Sequence, residues 1–280
     1  NSTEQSVRNA GVKVPLMIMR GDGGVMEINE MKKRPILTML SGPAASVMGS
    51  LMYLRASNGI YFEVGGTTTN IGVIKNGRPA IDYTVLAGHK TYVNSLDVRV
   101  LGVAGGSMVR VNQGAIVDVG PRSAHIAGLD YAVYSDEADI VDPQLELFSP
   151  KPGDPADYVA IRCANGKRFA ITNSCAANVL GLVKPNHFSY GNVNAAKKAM
   201  KPLADYLGVS VEEAAQQILQ RAYEKLCPLV QELIEKYRLE PDQISLVGVG
   251  GGASALIGYC AEKMGIRYHI PENAEVISSI

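Results

Sequence analysis

The sequence predicts an α/β lobe in which a mixed sheet opens as a β-meander and is flanked by helices. Three observations predict it. A glycine- and threonine-rich turn joins two short apolar strands in Ile60-Tyr61-Phe62-Glu63-Val64-Gly65-Gly66-Thr67-Thr68-Thr69-Asn70-Ile71-Gly72-Val73-Ile74. Apolar positions change to helical spacing from Asn192 onward, and an apolar run at 244–249 passes through Gly250-Gly251-Gly252 into a helical stretch at 254–264.

The elements follow in order. Residues 14–19 read as a strand, followed by a glycine loop at 21–24. Ser41-Gly42-Pro43 opens a helix, because proline suits the first helical turn, and Ala44, Ala45, Ser46 and Gly49 allow close packing. That helix delivers the chain to the glycine turn. Asn76-Gly77 is a hairpin signal, and 79–86 reads as the third strand of the meander. A second glycine turn, Gly102-Val103-Ala104-Gly105-Gly106-Ser107, separates strand-like runs at 98–101 and 108–111, so it too is a candidate to face a ligand. Asn165-Gly166 joins 158–163 to 168–171 as a further hairpin. The acidic stretch 136–157 holds four prolines and reads as an irregular surface excursion without chemistry.

Beyond Asn192, the residues Ala195, Ala196, Met200, Leu203, Ala204 and Leu207 share one helix face. Ser210 and Glu213 form a capping box for a long helix with Val211, Ala215, Ile218, Ala222, Leu226, Val230, Leu233 and Tyr237 on its apolar side, and Pro228 is expected to bend it. The expected organisation is a lead-in over 1–56 and a lobe over 57–280 that carries a β-rich insertion around 136–190.

Composition limits the function classes. A chain of 280 residues that is 46% apolar can bury a large core, and 27 basic against 27 acidic residues leave no net field to draw nucleic acid or an anionic membrane. No apolar run approaches the roughly 18 residues of a membrane span, and no signal-peptide pattern opens the chain, so a cytoplasmic protein is expected. Cys163, Cys175, Cys227 and Cys260 lack any C-x-x-C pair, and His89, His125, His187 and His269 are equally dispersed, which favours buried thiols over zinc. The opening Asn1-Ser2-Thr3 and the closing Ser278-Ser279-Ile280 suggest a piece of something longer.

The glycine–threonine turn has the composition of a phosphate cradle. Gly65 and Gly66 allow backbone N–H groups to face an anion without a Cβ in the way, and Thr67, Thr68 and Thr69 offer hydroxyls. A plain hairpin turn remains the alternative. The turn at Gly250-Gly251-Gly252-Ala253 sets a helix N-terminus against glycines, a favourable place for phosphate or for a nucleotide's ribose. Gly248 to Ala253 also fits the G-x-G-x-x-A dinucleotide fingerprint, with Glu272 about 20 residues on, so an NAD-binding enzyme is a further alternative.

Taken together these turns resemble the second lobe of the actin, Hsp70 and sugar kinase superfold, a ribonuclease H-like architecture. More closely, the chain resembles the hydantoinase A/5-oxoprolinase family, a domain shared with the acetone carboxylase beta subunit. The resemblance is carried by 40–45, by 63–70, by Leu96-Asp97 with Gly105-Gly106-Ser107, by 119–124, by Asn173 with Asn178, and by 250–253. It implies ATP and Mg²⁺ as cofactors and the ring-opening hydrolysis of a cyclic amide such as hydantoin or 5-oxoproline.

On that resemblance Gly65, Gly66, Thr67, Thr68 and Thr69 hold phosphates, Gly250, Gly251, Gly252 and Ala253 flank the adenosine, and Asp97, Ser107 and Arg122 are candidates for the reacting side, each with a structural role as the alternative. Glu63 and Asn70 stand where the family motif Asp-x-Gly-Gly-Thr-x-Thr-Asp has its metal-facing carboxylates, and the longer side chain and lost charge should reshape Mg²⁺ binding. His125 also lies in a departure from the family pattern, as a substrate contact or a packed residue. The family's first phosphate loop lies in an upstream lobe, which implies that lobe and a hydantoinase B-like subunit or domain as partners. A non-catalytic nucleotide-binding or assembly lobe is the competing reading.

Overall fold

The computed structural model describes residues 2–54, 58–86 and 88–277, so the boundary expected between 56 and 57 and the closing Ser278-Ser279-Ile280 lie outside the described residues. Numbered along the chain, the first elements are α1 (Ser2–Asn9), a ribbon of β1 (Met17–Met19) and β2 (Val25–Glu27), then α2 (Ile28–Lys33) and α3 (Ser41–Leu54). The strand expected at 14–19 is confined to its last residues. Helix α3 begins at Ser41, ahead of the proline, and buries Ala44 and Val47 in an apolar cluster with Tyr61 and Val249 of the first sheet.

The centre of that sheet is β3 (Gly59–Val64), which is apolar throughout except at Glu63 because both of its faces are covered. Alternation sends Ile60, Phe62 and Val64 into the main core and Tyr61 into the cluster beneath α3. On one side lies β15 (Ser245–Val249), parallel, followed through α8 (Ala253–Met264) by β16 (Arg267–His269), also parallel. On the other side lies β4 (Thr69–Lys75), antiparallel. The far edge of β4 is shared by two short strands, β5 (Arg78–Pro79) and β8 (Val98–Leu101). The order β16-β15-β3-β4-β5/β8, with β4 alone running against its described neighbours, is the ribonuclease H-like arrangement that the resemblance implies.

The third strand of the meander differs from expectation. It ends at Pro79, past which the Ala80 N–H still donates to Val73 O at 2.8 Å, and 81–86 instead forms β6 (Ile81–Leu86), which pairs with β7 (His89–Leu96) as a separate ribbon. Asn76 and Gly77 take φ of 53° and 70°, the paired left-handed conformations of a type I′ hairpin, as an Asn-Gly turn between strands predicts.

The second sheet contains β9 (Ser107–Asn112), β10 (Ala115–Ser123), β11 (Asp130–Tyr131), β12 (Gln144–Phe148), β13 (Tyr158–Arg162) and β14 (Arg168–Ala170), in the order β10-β9-β13-β14-β11 with β12 on β13. Residues 136–157 are therefore not wholly irregular, since β12 lies among them, its Leu145 and Phe148 packing on buried neighbours. The turn at 102–107 joins the two sheets, because β8 pairs with β4 and β9 with β10 and β13.

The short helix α4 (Ala124–Ala127) follows β10, and α5 (Asn173–Val179), α6 (Val193–Leu207) and α7 (Val211–Tyr237) pack with α8 in one core shared with both sheets. Ser210 and Glu213 close the capping box as expected, and α7 continues through Pro228 as one element. Cys163, Cys175 and Cys260 are buried thiols. No helix among the described residues is long and apolar enough to cross a membrane.

Candidate functional site: a cradle of three glycine turns

The β3–β4 turn is closed by the Gly65 N–H donating to the Thr68 carbonyl at 3.0 Å. Among the described residues, no group accepts from the backbone N–H of Gly66, Thr67 or Thr68, so consecutive donors are left free. The other glycine turns are fastened to this one through main chain. Gly105 donates to Gly65 O at 3.1 Å, Gly106 to Gly66 O at 3.0 Å, and Gly252 to Val64 O at 2.8 Å. At the start of α5, Ser174 adds its backbone N–H and its hydroxyl, both donated to Gly105 O.

Such closeness excludes side chains. A Cβ at Gly106 would stand 2.6 Å from Gly66 O and 2.0 Å from Tyr131 Oη. The turns enclose a cavity of about 260 Å³, walled by Gly65, Gly66, Gly105, Gly106, Gly251 and Gly252 together with Tyr131, Tyr134, Ser174 and Phe188. A second cavity of about 350 Å³ shares Gly251 and Phe188 with the first and has Gly250, Glu272 and Asn273 on its wall.

The threonines divide by strand position. Thr69 is the first residue of β4 and points inward, fully buried, its hydroxyl donating to Val103 O. Thr67 shares a hydrogen bond with Ser123 at 2.8 Å, and Ser123 also caps α4 by accepting from Ile126 N–H. Thr68 is exposed. The Thr67 and Thr69 hydroxyls thus hold the turn in place, and what the turn offers an anion is chiefly main chain.

Glu63 and Asn70 face each other across β3 and β4. Asn70 Nδ2 donates to Glu63 Oε2 at 2.8 Å, Ser46 of α3 donates to Oε1, and Tyr61 Oη lies 3.4 Å from Oε2. This carboxylate also pushes the Tyr61 phenol's pKa up, although burial is the larger cause. Among the described residues no group of three or more His, Cys, Asp or Glu side chains is arranged to hold a metal. One carboxylate already accepting these bonds does not fit as an inner ligand of Mg²⁺; it fits a contact made through the ion's water shell.

The three candidates for the reacting side lie elsewhere. Asp97 sits just before β8, whose Val98 pairs with Gly72, whereas the cradle end of β4 at Thr69 pairs with Leu101. Its nearly buried carboxylate accepts from Lys236 at 2.6 Å, from Tyr237 Oη at 2.7 Å and from Arg99. Burial opposes the charge, but these donors outweigh it and hold the Asp97 pKa below the usual carboxylate range. Ser107 is fully buried and accepts the Ala104 N–H at 2.8 Å, which shapes the second glycine turn. Arg122 is spent on a bidentate pair with Asp154, both contacts at 2.8 Å. None of the three lines the cradle. His125, in the first turn of α4, is exposed and outside it as well.

Sequence reasoning missed Tyr131, Tyr134, Ser174 and Phe188. They reach the cavity from β11, the 3-10 turn that follows it, α5 and the segment before α6, and no spacing in the sequence ties them to the glycines. Asn173 and Asn178, quoted among the motifs, hold the surroundings: Asn173 donates to Ala104 O at 2.8 Å, and Asn178 bonds Ser189 O and Gly191 N–H beside Phe188. The dinucleotide alternative finds no support in this arrangement. The sheet has antiparallel β4 beside β3, and the Gly252 N–H is occupied by Val64.

The strand order defines a ribonuclease H-like lobe, and its three glycine turns meet around one cavity. The chain belongs to the hydantoinase/oxoprolinase family, which it matches over residues 1–280. It is 26% identical to 5-oxoprolinase 1 of Arabidopsis thaliana, over 91% of this chain and 19% of that protein. It is 23% identical to caprolactamase subunit alpha of Pseudomonas jessenii, over 92% of this chain and 34% of the relative. The solved ATP-dependent caprolactamase from Pseudomonas jessenii superposes with a TM-score of 0.68 at 22% identity, covering 99% of this chain and 37% of its own. Nucleotide-free acetone carboxylase gives 0.67 at 21%, covering 99% and 36%. The chain therefore spans well under half the length of these relatives.

Proposed function

We propose that this chain is the nucleotide-holding second lobe of a larger ATP-dependent enzyme that opens a cyclic amide of the hydantoin or 5-oxoproline type. The observation that carries the reading is the convergence of three glycine turns, with the free N–H groups of Gly66, Thr67 and Thr68, beside the cavity at Gly251. The names of the relatives support the same direction, since they include a caprolactamase described as ATP-dependent and a 5-oxoprolinase.

In this reading the free N–H groups donate to phosphate oxygens, preorganised and in place before any charge moves. Gly250, Gly251, Gly252 and Ala253 flank the adenosine, whose space is the second cavity. Glu63 and Asn70 accept from and orient the water shell of Mg²⁺. Bound ATP would supply a phosphoryl group to the ring's carbonyl oxygen, giving an inert amide a leaving group that water can displace. An upstream lobe and a hydantoinase B-like subunit or domain complete the assembly, consistent with the much greater length of the relatives.

One observation favours the competing reading of a non-catalytic lobe: Glu63 is already engaged by Ser46 and Asn70. Phosphate release from Mg-ATP by the intact protein with its partner, with and without hydantoin, 5-oxoproline and caprolactam, separates the two. Stimulation by a cyclic amide that disappears in Gly66→Val supports the enzyme. ATP binding without turnover on any of these rings supports the non-catalytic lobe.

A further inference from the structure

The cavity wall is glycine main chain with few side chains, and the hydroxyls among them are mostly committed. Ser174 Oγ donates to Gly105 O at 3.0 Å, and Tyr134 Oη donates to Ser189 O at 3.3 Å. Tyr131 differs. Among the described residues nothing donates to or accepts from its Oη, which stands in the cavity 3.3 Å from where a Cβ on Gly66 would be.

The position of that hydroxyl is fixed by the fold. Tyr131 ends β11, paired with Ala170 of β14; its carbonyl accepts the Ser135 hydroxyl at 2.9 Å, and its ring packs on Tyr134 with centroids 5.5 Å apart. Gly106 lacks a side chain where this hydroxyl passes, since a Cβ there would lie 2.0 Å away. Burial, with smaller contributions from Tyr134 and Cys175, raises the pKa of the phenol, so it carries its proton at neutral pH and can donate.

We propose that Tyr131 Oη donates a hydrogen bond to an oxygen of the phosphate held at Gly65 and Gly66, making it a direct ligand contact of the cradle. The proposal rests on the nucleotide reading given above. It adds a side-chain donor, close to Gly66, to a site otherwise made chiefly of backbone.

The test is calorimetric titration of the intact protein and its Tyr131→Phe variant with ATP, with inorganic tripolyphosphate and with adenosine, alongside thermal melts. A hydrogen bond to a charged acceptor predicts about a tenfold loss of affinity for both ATP and tripolyphosphate, with adenosine affinity unchanged. Because the hydroxyl has no partner among the described residues, the melting temperature should not fall. Equal tripolyphosphate affinity in the two proteins overturns the proposal while leaving the nucleotide reading intact. A variant that loses stability or fails to fold also overturns it, since the hydroxyl would then be structural. Wild-type protein that binds neither ATP nor tripolyphosphate removes both.

Discussion

Asn70 donates its side-chain N–H to the carboxylate of Glu63 at 2.8 Å, across directly opposed positions of β3 and β4. An aspartate at position 70 would set two carboxylates face to face on one sheet surface, where like charges repel. Asn70→Asp is expected to cost about 1–2 kcal/mol without metal, from the lost bond and the repulsion together. Millimolar Mg²⁺ should restore part of the melting temperature in the variant and do less for the wild type. Melts with and without Mg²⁺ check this, and a variant as stable as wild type without metal would contradict it.

Gly66 and Gly106 should respond oppositely to alanine. At Gly106 the new methyl meets Gly66 O at 2.6 Å, a main-chain atom that cannot step aside, and the expected loss is about 3 kcal/mol. At Gly66 the nearest atom is Tyr131 Oη at 3.3 Å, so Gly66→Ala should fold within about 1 kcal/mol of wild type while crowding the cavity. Denaturant unfolding of both variants, with ATP titration of the folded one, separates a packing glycine from a ligand-facing one.

Asp97 is expected to govern acid stability. Its pKa is depressed in the folded protein, so the stability it contributes is fully present above its ordinary value of 3.8 and is lost as pH falls through the lowered folded value. Asp97→Asn leaves Lys236 with Asp82 alone and removes an acceptor from Arg99 and Tyr237. The expected cost is about 2 kcal/mol at pH 7, reduced from a fully buried pair because Lys236 is one-third exposed. Urea melts at pH 7 and pH 3 should show the gap between wild type and variant narrowing at the lower pH.

Local chemistry made much of this fold legible. Asn76-Gly77 admits few turns, Ser210 and Glu213 announce a helix start, and the run from Leu246 through Gly252 marks a buried strand meeting a helix. What stayed hidden was pairing at a distance. Nothing local says that the chain leaves the sheet after Ala80, or that β8 takes up the rest of the β4 edge. The site was read in the same uneven way. Gly65, Gly66, Gly251 and Gly252 do wall one cavity, because glycine clusters signal close approach whatever the partner. Asp97, Ser107 and Arg122 were placed by motif, and a motif does not reveal that a carboxylate is ringed by Lys236, Tyr237 and Arg99, or that a guanidinium is taken by Asp154. Tyr131 gave no signal, since its relevance comes wholly from where the second sheet delivers it.

The hydrogen bonds that fasten Gly105 and Gly106 to Gly65 and Gly66, and Gly252 to Val64, join stretches from the early, middle and late thirds of the chain. No short piece of the sequence can hold that pocket by itself, so occupancy is thermodynamically linked to the cooperative transition of the entire lobe. A ligand present at a hundredfold excess over its dissociation constant would add about 2.7 kcal/mol to global stability. Slowed hydrogen exchange should then extend to β3, β9 and α8 together, so that one bound ligand would report on the integrity of three distant segments.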